Sequence, residues 1–93
     1  MLVVMKKREI EKILKALGNR RRLEIVAYLK RNKNVSVGDI AAVIHLSFRS
    51  TSRHLRILFA ADILGKKQRG LEVLYSVAKN QKLITRVIIK SLS

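Results

Sequence analysis

The fold of this chain is decided by the stretch LSFRSTSRHLRIL, residues 46–58, whose hydrophobic residues recur at helical spacing. Ser47 is well placed to begin a helix, because a serine hydroxyl can accept a hydrogen bond from a free backbone N–H group of the first turn. At about 100° per residue, Thr51, Leu55 and Leu58 fall on one side, which predicts the side that faces a core. We therefore expect a helix that begins at Ser47 and buries one side.

The opposite side of this helix is basic. Arg49, Arg53 and Arg56 lie within a narrow arc that holds no acidic residue. Arginine can pair with guanine edges in the major groove, and serine hydroxyls can bond to bases or phosphates, mostly from the first two turns of a helix. A solvated basic surface would show the same pattern. We predict a recognition helix over about residues 47–61, in which bases are contacted by Arg49, Ser50, Ser52 and Arg53. Arg56 is predicted to contact a phosphate, and Ser47 is included among the DNA-binding residues.

The residues before this helix favour DNA over a merely solvated surface. Ser36 can cap a short helix whose apolar residues also recur at helical spacing. His45 and Leu46 follow as a tight turn. Two helices joined by a short turn predict a helix-turn-helix.

The period changes after the recognition helix. Val73 and Tyr75 alternate with Leu74 and Ser76, which predicts a strand, and residues 63–67 can form its partner. Residues 68–71 would then form the tip of a hairpin. This wing, over about residues 64–76, could reach phosphates or the adjacent minor groove, although an ordinary charged turn carries such residues too. The predicted wing contacts are Lys66, Lys67 and Arg69.

Three further helices complete the prediction, over about residues 3–17, 20–31 and 80–91. The expected fold is mainly α with a small β-hairpin, a winged helix-turn-helix of order ααααββα. A length of 93 residues predicts a single domain over residues 1–93. No apolar run approaches the roughly 20 residues that cross a membrane, so we expect a soluble cytoplasmic protein without a membrane partner.

The charge indicates a polyanionic partner. The chain has 21 Lys and Arg against 6 Asp and Glu, a formal net charge of +15. Such an excess repels itself, and it is useful chiefly when nucleic acid is bound. No cysteine is present, which excludes disulfides, thiolate metal sites and cysteine nucleophiles. No nucleophile–base–acid set or phosphate loop can be assembled either, so we do not expect an enzyme.

Three stretches resemble the ArsR/SmtB family of winged-helix repressors. They are residues 17–25, residues 46–58 and residues 70–77, and the segment Ser52-Arg53-His54-Leu55 is the most specific. The resemblance covers about residues 14–77. His45 takes the place of the family's usual turn glycine, so the resemblance implies a left-handed backbone at this residue. It implies a winged helix-turn-helix repressor that binds double-stranded DNA as a symmetric homodimer, built mainly from the first and last helices.

The terminal helices agree with a dimer, because both carry apolar stripes that one small domain would bury only in part. Packing of these stripes on the domain's own core is the alternative. We predict that the dimer interface contains Ile10, Leu14, Leu83, Ile84, Val87 and Ile88.

The common metal sites of the family are missing here. Ser36 and Gly38 occupy the positions of the family's Cys-x-Cys pair, and no Asp, Glu or His follows Glu72. His54 has no ligand partner at helical spacing, so we interpret it as a packing or phosphate-contacting residue. We therefore expect no metal and no cofactor.

Three functions remain open from the sequence. The first is a sequence-specific dimeric transcriptional regulator, and the alternative is a basic architectural protein with little sequence preference. The third is a winged helix that binds RNA or protein. Few exposed aromatic residues are expected, which argues against stacking on single strands, because Phe48 and Phe59 are predicted at the edge of the core side.

Overall fold

The computed structural model describes residues 4–93 and has the predicted winged helix-turn-helix architecture. Its helices and strands, in chain order, are α1 (Lys7–Leu17), α2 (Arg20–Arg31), β1 (Val35–Ser36), α3 (Val37–Ile44), α4 (Phe48–Ala60), β2 (Leu64–Arg69), β3 (Glu72–Val77) and α5 (Leu83–Ser91). The recognition helix was predicted to within a residue or two at each end. The wing is the antiparallel pair β2–β3.

The sheet has one strand more than predicted. Its order is β1-β3-β2, with Val35 opposite Tyr75 and Ser36 opposite Leu74. β1 is too short for an alternating pattern to be recognised in the sequence. Asn34 helps to hold it in place, because its backbone N–H donates to Ser76 Oγ at 2.7 Å. The segment between α2 and β1 is thus attached to the wing.

Two predicted helix starts were too early. The first helix begins at Lys7, and the described residues 4–6 before it are not helical. The predicted start at residue 3 lies outside the described residues. The last helix begins at Leu83 rather than at Asn80. Gln81 instead stabilises a turn after β3, where its Nε2 donates to the carbonyl of Ala78 at 2.7 Å. Both starts have a lysine at the N-cap, Lys6 or Lys82, instead of a Ser, Thr, Asp or Asn, so the sequence defines them poorly.

The core joins α1–α5 to the inner side of the sheet. Ile25 and Leu29 of α2 are buried at its centre, together with Ile40 of α3. Leu55 and Leu58 of α4 reach the same cluster, as the helical period predicted. Each such aliphatic side chain contributes about 1.5–3 kcal/mol when fully buried. This packing fixes the orientation of α4.

Within residues 4–93, three residues other than glycine have left-handed backbone, and two of them, His45 and Asp62, form the turns before and after α4. His45 ends α3 with φ 58°, as expected, and the N–H of Leu46 donates to the carbonyl of Ala41 at 3.1 Å. Asp62 follows α4 with φ 59°. The His45 turn sets the angle between α3 and α4 and therefore the direction in which α4 leaves the core.

Candidate nucleic-acid interface

The N-terminus of α4 is formed by Ser47. Its Oγ accepts a hydrogen bond from the backbone N–H of Ser50 at 3.1 Å, and Thr51, Leu55 and Leu58 are buried below it. No acidic residue occurs in α4. The cap and the buried side together aim the remaining residues of the helix at solvent.

The arginine side of α4 is exposed as predicted. Arg49, Arg53 and Arg56 are all exposed, as are Ser47 and Ser50. Ser52 is different, because it is half-buried and its Oγ accepts from Arg56 NH1 at 3.5 Å. The hydroxyl of Ser52 therefore lies beside Arg56 and not at the outermost part of the helix.

The wing places its predicted basic residues on two sides. Lys66 pairs with Tyr75 across the sheet, and its Nζ lies 4.4 Å from the ring centroid of Phe59 on α4. Lys67 belongs to the opposite side, because successive strand residues alternate. Arg69 stands at the hairpin end, where NH2 is 3.7 Å from Glu72 Oε1. Lys66 thus joins the wing to α4, while Lys67 is exposed on the other side of the wing and Arg69 is exposed beside Glu72 at its end. We call Arg49, Arg53, Arg56, Lys67 and Arg69 the basic surface.

A contact between Arg22 and His54 was not predicted. Arg22 NH1 lies 3.2 Å from His54 Nδ1, and Arg22 Nε donates to the carbonyl of Ala16 at 2.6 Å. A guanidinium can only donate, so Nδ1 must accept and the neutral ring carries its proton on Nε2. Burial, and then the charges of Arg22, Arg53 and Arg21, lower the pKa of His54 below its ordinary value of 6.5. The C-terminus of α1 is thereby connected to α4.

The expectation that Phe48 and Phe59 would leave few exposed aromatic residues was wrong, because both rings are exposed. Phe48 is 62% exposed and Phe59 is 39% exposed. Both lie on the wing side of α4, where the helical wheel leaves them between the core and the arginines. The wing covers this part of α4 only in part, through Lys66, which lies over the ring of Phe59. Two exposed aromatic rings are therefore available, so stacking on bases is not excluded by a lack of such rings.

The residues at the family's common metal position do not fit a thiolate site. Ser36 Oγ accepts from the N–H of Asp39 at 3.2 Å and caps α3, and Gly38 has no side chain. Across residues 4–93, no three His, Cys, Asp or Glu side chains come together as they would to hold a metal ion.

The predicted dimer residues all lie at the surface of the terminal helices. Leu14, Leu83 and Val87 are exposed, and Ile10, Ile84 and Ile88 are half-buried. An ion pair between Lys82 Nζ and Glu9 Oε2, at 3.7 Å, brings the starts of α1 and α5 close together. α5 faces the core through Thr85 and Ile89, and Ile84 and Ile88 pack partly against the same core, whereas Leu83 and Val87 are exposed. We call the six residues the apolar surface.

The family follows from comparison with known proteins. Residues 19–66, just over half of the chain, match the family described as "Bacterial regulatory protein, arsR family". This chain belongs to the arsR family. Arginines 20–22, the helix-turn-helix and the start of the wing all lie within the matched region. Members of the arsR family are DNA-binding transcriptional regulators and not enzymes, in agreement with the expectation from the sequence.

Individual members of the arsR family are similar over most of the chain. The transcriptional activator HlyU of Vibrio cholerae is 30% identical over 69 residues, which span 74% of this chain and 63% of HlyU. A solved HlyU structure superposes with a TM-score of 0.77, at 27% identity, covering 92% of this chain and 91% of that one. The transcriptional repressor PagR of Bacillus anthracis gives a TM-score of 0.76 at 28% identity, covering 92% and 94%. The region aligned with the curated HlyU sequence thus spans less than two thirds of the length of that protein.

A more distant structure shares the fold. The homodimeric winged helix-turn-helix DNA-binding domain from Mycobacterium bovis has a TM-score of 0.75 at 22% identity, covering 94% of this chain and 83% of that one. At this identity the likeness is one of fold.

No helix within residues 4–93 is both long and apolar enough to cross a membrane.

Proposed function

We propose that this chain is a sequence-specific transcriptional regulator that binds double-stranded DNA as a homodimer. The observation that carries the proposal is the row of three exposed arginines on α4, Arg49, Arg53 and Arg56, on a helix without acidic residues. In helix-turn-helix proteins such a helix lies in the major groove, where arginine reads guanine. The wing then lies along the backbone or in the neighbouring minor groove.

The residues proposed to contact DNA divide by their position. Arg49, Ser50 and Arg53 are exposed in the first two turns of α4 and are assigned to bases. Arg56, Lys67 and Arg69 are assigned to phosphates or to the minor groove. Ser47 and Ser52 are weaker candidates, because one caps α4 and the other accepts from Arg56. Lys66 acts on DNA only if it leaves the Phe59 ring.

The proposed homodimer rests on the apolar surface. Leu14, Leu83 and Val87 remain exposed although each belongs to a helix whose other side is packed on the core. A two-fold pairing of these helices would bury the three side chains. It would also place the two α4 helices of the dimer in successive major grooves on one side of the duplex. The folded domain, residues 4–93, would then be the DNA-binding unit, with α1 and α5 joining its two copies.

We assign the regulatory effect to occupancy of an operator. A bound dimer that overlaps a promoter excludes polymerase, which is the repressor role implied by the family resemblance. Described relatives include both an activator and a repressor. The place of action would be the cytoplasm, where bacterial DNA lies. Transcription from a promoter carrying the selected site should fall when the chain is present, and a rise would reverse the assignment.

Selection of bound duplexes from a random DNA pool tests the central proposal. We expect a two-fold symmetric site with half-sites about 10–10.5 base pairs apart. Affinity should fall steeply with salt, with a slope of about 0.9 for each phosphate contact. A slope near zero, or no enrichment of any sequence, would contradict the proposal.

An architectural DNA-binding protein is the second candidate, and the net charge of +15 favours it. Much of that charge lies outside the basic surface. Competition separates the two functions, because a specific regulator prefers its site over random duplex by about a thousandfold or more. A ratio near one would favour the architectural function.

A further inference from the structure

The tip of the wing carries a leucine that no internal contact requires. Leu71 is fully exposed, more than any other large hydrophobic side chain of residues 4–93. It occupies the second position of the two-residue turn between the paired residues Arg69 and Glu72. Hairpin tips are usually made of small or polar residues. A fully exposed leucine at this position gains free energy only when a partner covers it.

The turn that presents Leu71 is well defined. Gly70 has φ 61° at the first turn position, which glycine occupies in type II′ hairpins. Gln68 Nε2 donates to the carbonyl of Gly70 at 2.9 Å, and Arg69 pairs with Glu72. Little conformational entropy is therefore left to lose when the tip is bound.

The surroundings of Leu71 identify the partner as a polyanion. Lys67 and Arg69 precede it in β2, and the only acid beside it, Glu72, is paired with Arg69. The same hairpin packs against α4 through Lys66 and Phe59, and Leu71 lines one cleft with Phe48 and Ser52, so its tip stands beside the start of that helix. An apolar tip with basic neighbours fits the minor groove, whose walls are deoxyribose and whose edges are phosphate.

We propose that Leu71 is a specificity-determining residue that enters the minor groove beside the half-site and selects A·T over G·C pairs there. This inference rests on the proposed DNA-binding function. In the minor groove, G·C differs from A·T by the N2 amino group of guanine. A leucine placed on the floor would remove water from that donor without offering an acceptor, which is unfavourable. A·T pairs present no such group.

Inosine provides a direct test. An inosine·cytosine pair keeps the major-groove O6 and N7 of guanine but lacks the N2 amino group. With the selected duplex carrying A·T, I·C or G·C at the flanking positions, wild-type protein should bind A·T and I·C similarly and G·C about tenfold more weakly. For Leu71→Ser the three duplexes should differ by less than twofold. Leu71→Met should keep the preference.

Lys67→Ala is the matched control, because it removes a charge from the same hairpin and leaves the pair between Arg69 and Glu72 in place. It should reduce the salt slope by about one contact while keeping the G·C penalty. Leu71→Ser should leave both the salt slope and the thermal unfolding midpoint unchanged, since the side chain is exposed. Wild-type binding that is indifferent to I·C against G·C, or a G·C penalty that survives Leu71→Ser, would overturn the role of Leu71. Failure of wild-type protein to bind any duplex would instead contradict the proposed function.

Discussion

The basic surface and the apolar surface are both exposed, yet they are built in different ways. On the basic surface, the arginines of α4 lie opposite the fully buried side of the helix and make few internal contacts. On the apolar surface, Leu14, Leu83 and Val87 are themselves apolar side chains that stay exposed on the terminal helices α1 and α5. Charge at a surface acts at a distance and favours a polyanion, whereas apolar area needs a closely fitting partner. The difference suggests one partner for each surface.

A charge placed on the apolar surface should have the largest effect. Val87→Glu would bury an unpaired carboxylate if α5 lies in a dimer interface, so the dimer should dissociate at micromolar concentration. Affinity for a duplex with two half-sites should then fall at least about 100-fold, because the second half-site no longer adds to the first. Sedimentation and duplex titration measure the two effects.

Val87→Lys is the control for charge. It should break the dimer as Val87→Glu does, although it adds positive charge that favours DNA. Affinity for a single half-site should change little in either variant. If both variants remain dimeric, the apolar surface does not form the interface.

Removal of one arginine from the basic surface should have the next largest effect. Arg53→Ala should cost about 1–3 kcal/mol of binding free energy on the selected site and relax the preference at one base pair. Arg56→Ala should weaken binding to all sequences equally, since a phosphate carries no sequence information. Titration of the selected duplex and of single-base variants distinguishes the two residues. An equal loss for Arg53→Ala on every duplex would reassign Arg53 to phosphate.

The sequence predicted the local parts of this molecule and missed the contacts between distant parts. Ser47 and the helical period placed α4 and its arginines, because both depend only on neighbours along the chain. β1 was missed because its two residues are defined by pairing with β3. The Arg22–His54 contact joins residues 32 positions apart, and no local pattern reveals it. The exposure of Phe48 likewise depends on how far the wing covers α4.

A substitution on the buried side of α4 changes stability without touching the basic surface or the apolar surface. Thr51 is completely buried, and its Oγ1 has no hydrogen-bond partner among residues 4–93. Thr51→Val should therefore raise the free energy of unfolding by up to about 1 kcal/mol, because an unpaired hydroxyl is replaced by a methyl group. Thr51→Ala should not, since it leaves a gap. Chemical denaturation measures both, and a destabilised Thr51→Val would indicate that the hydroxyl is paired.

The smallest expected effect concerns the point where α1 and α4 meet. The pKa of His54 is lowered in the folded protein, so the unfolded chain binds the proton first as the pH falls through 6.5. The free energy of unfolding should thus decrease modestly from pH 7.5 toward pH 5.5, as protonation removes the acceptor for Arg22. His54→Gln should show a smaller decrease in the same denaturation series. An unchanged pH dependence in His54→Gln would exclude this contact as its source.

The sheet order has a consequence for solubility. β2 is an edge strand, so one row of its backbone N–H and C=O groups is left without a strand partner. Such an edge can pair with the edge of another molecule and start aggregation, and charged side chains oppose this. Lys66, Lys67 and Arg69 lie on this strand. Variants that neutralise all three to weaken DNA binding should therefore also become more prone to associate strand to strand.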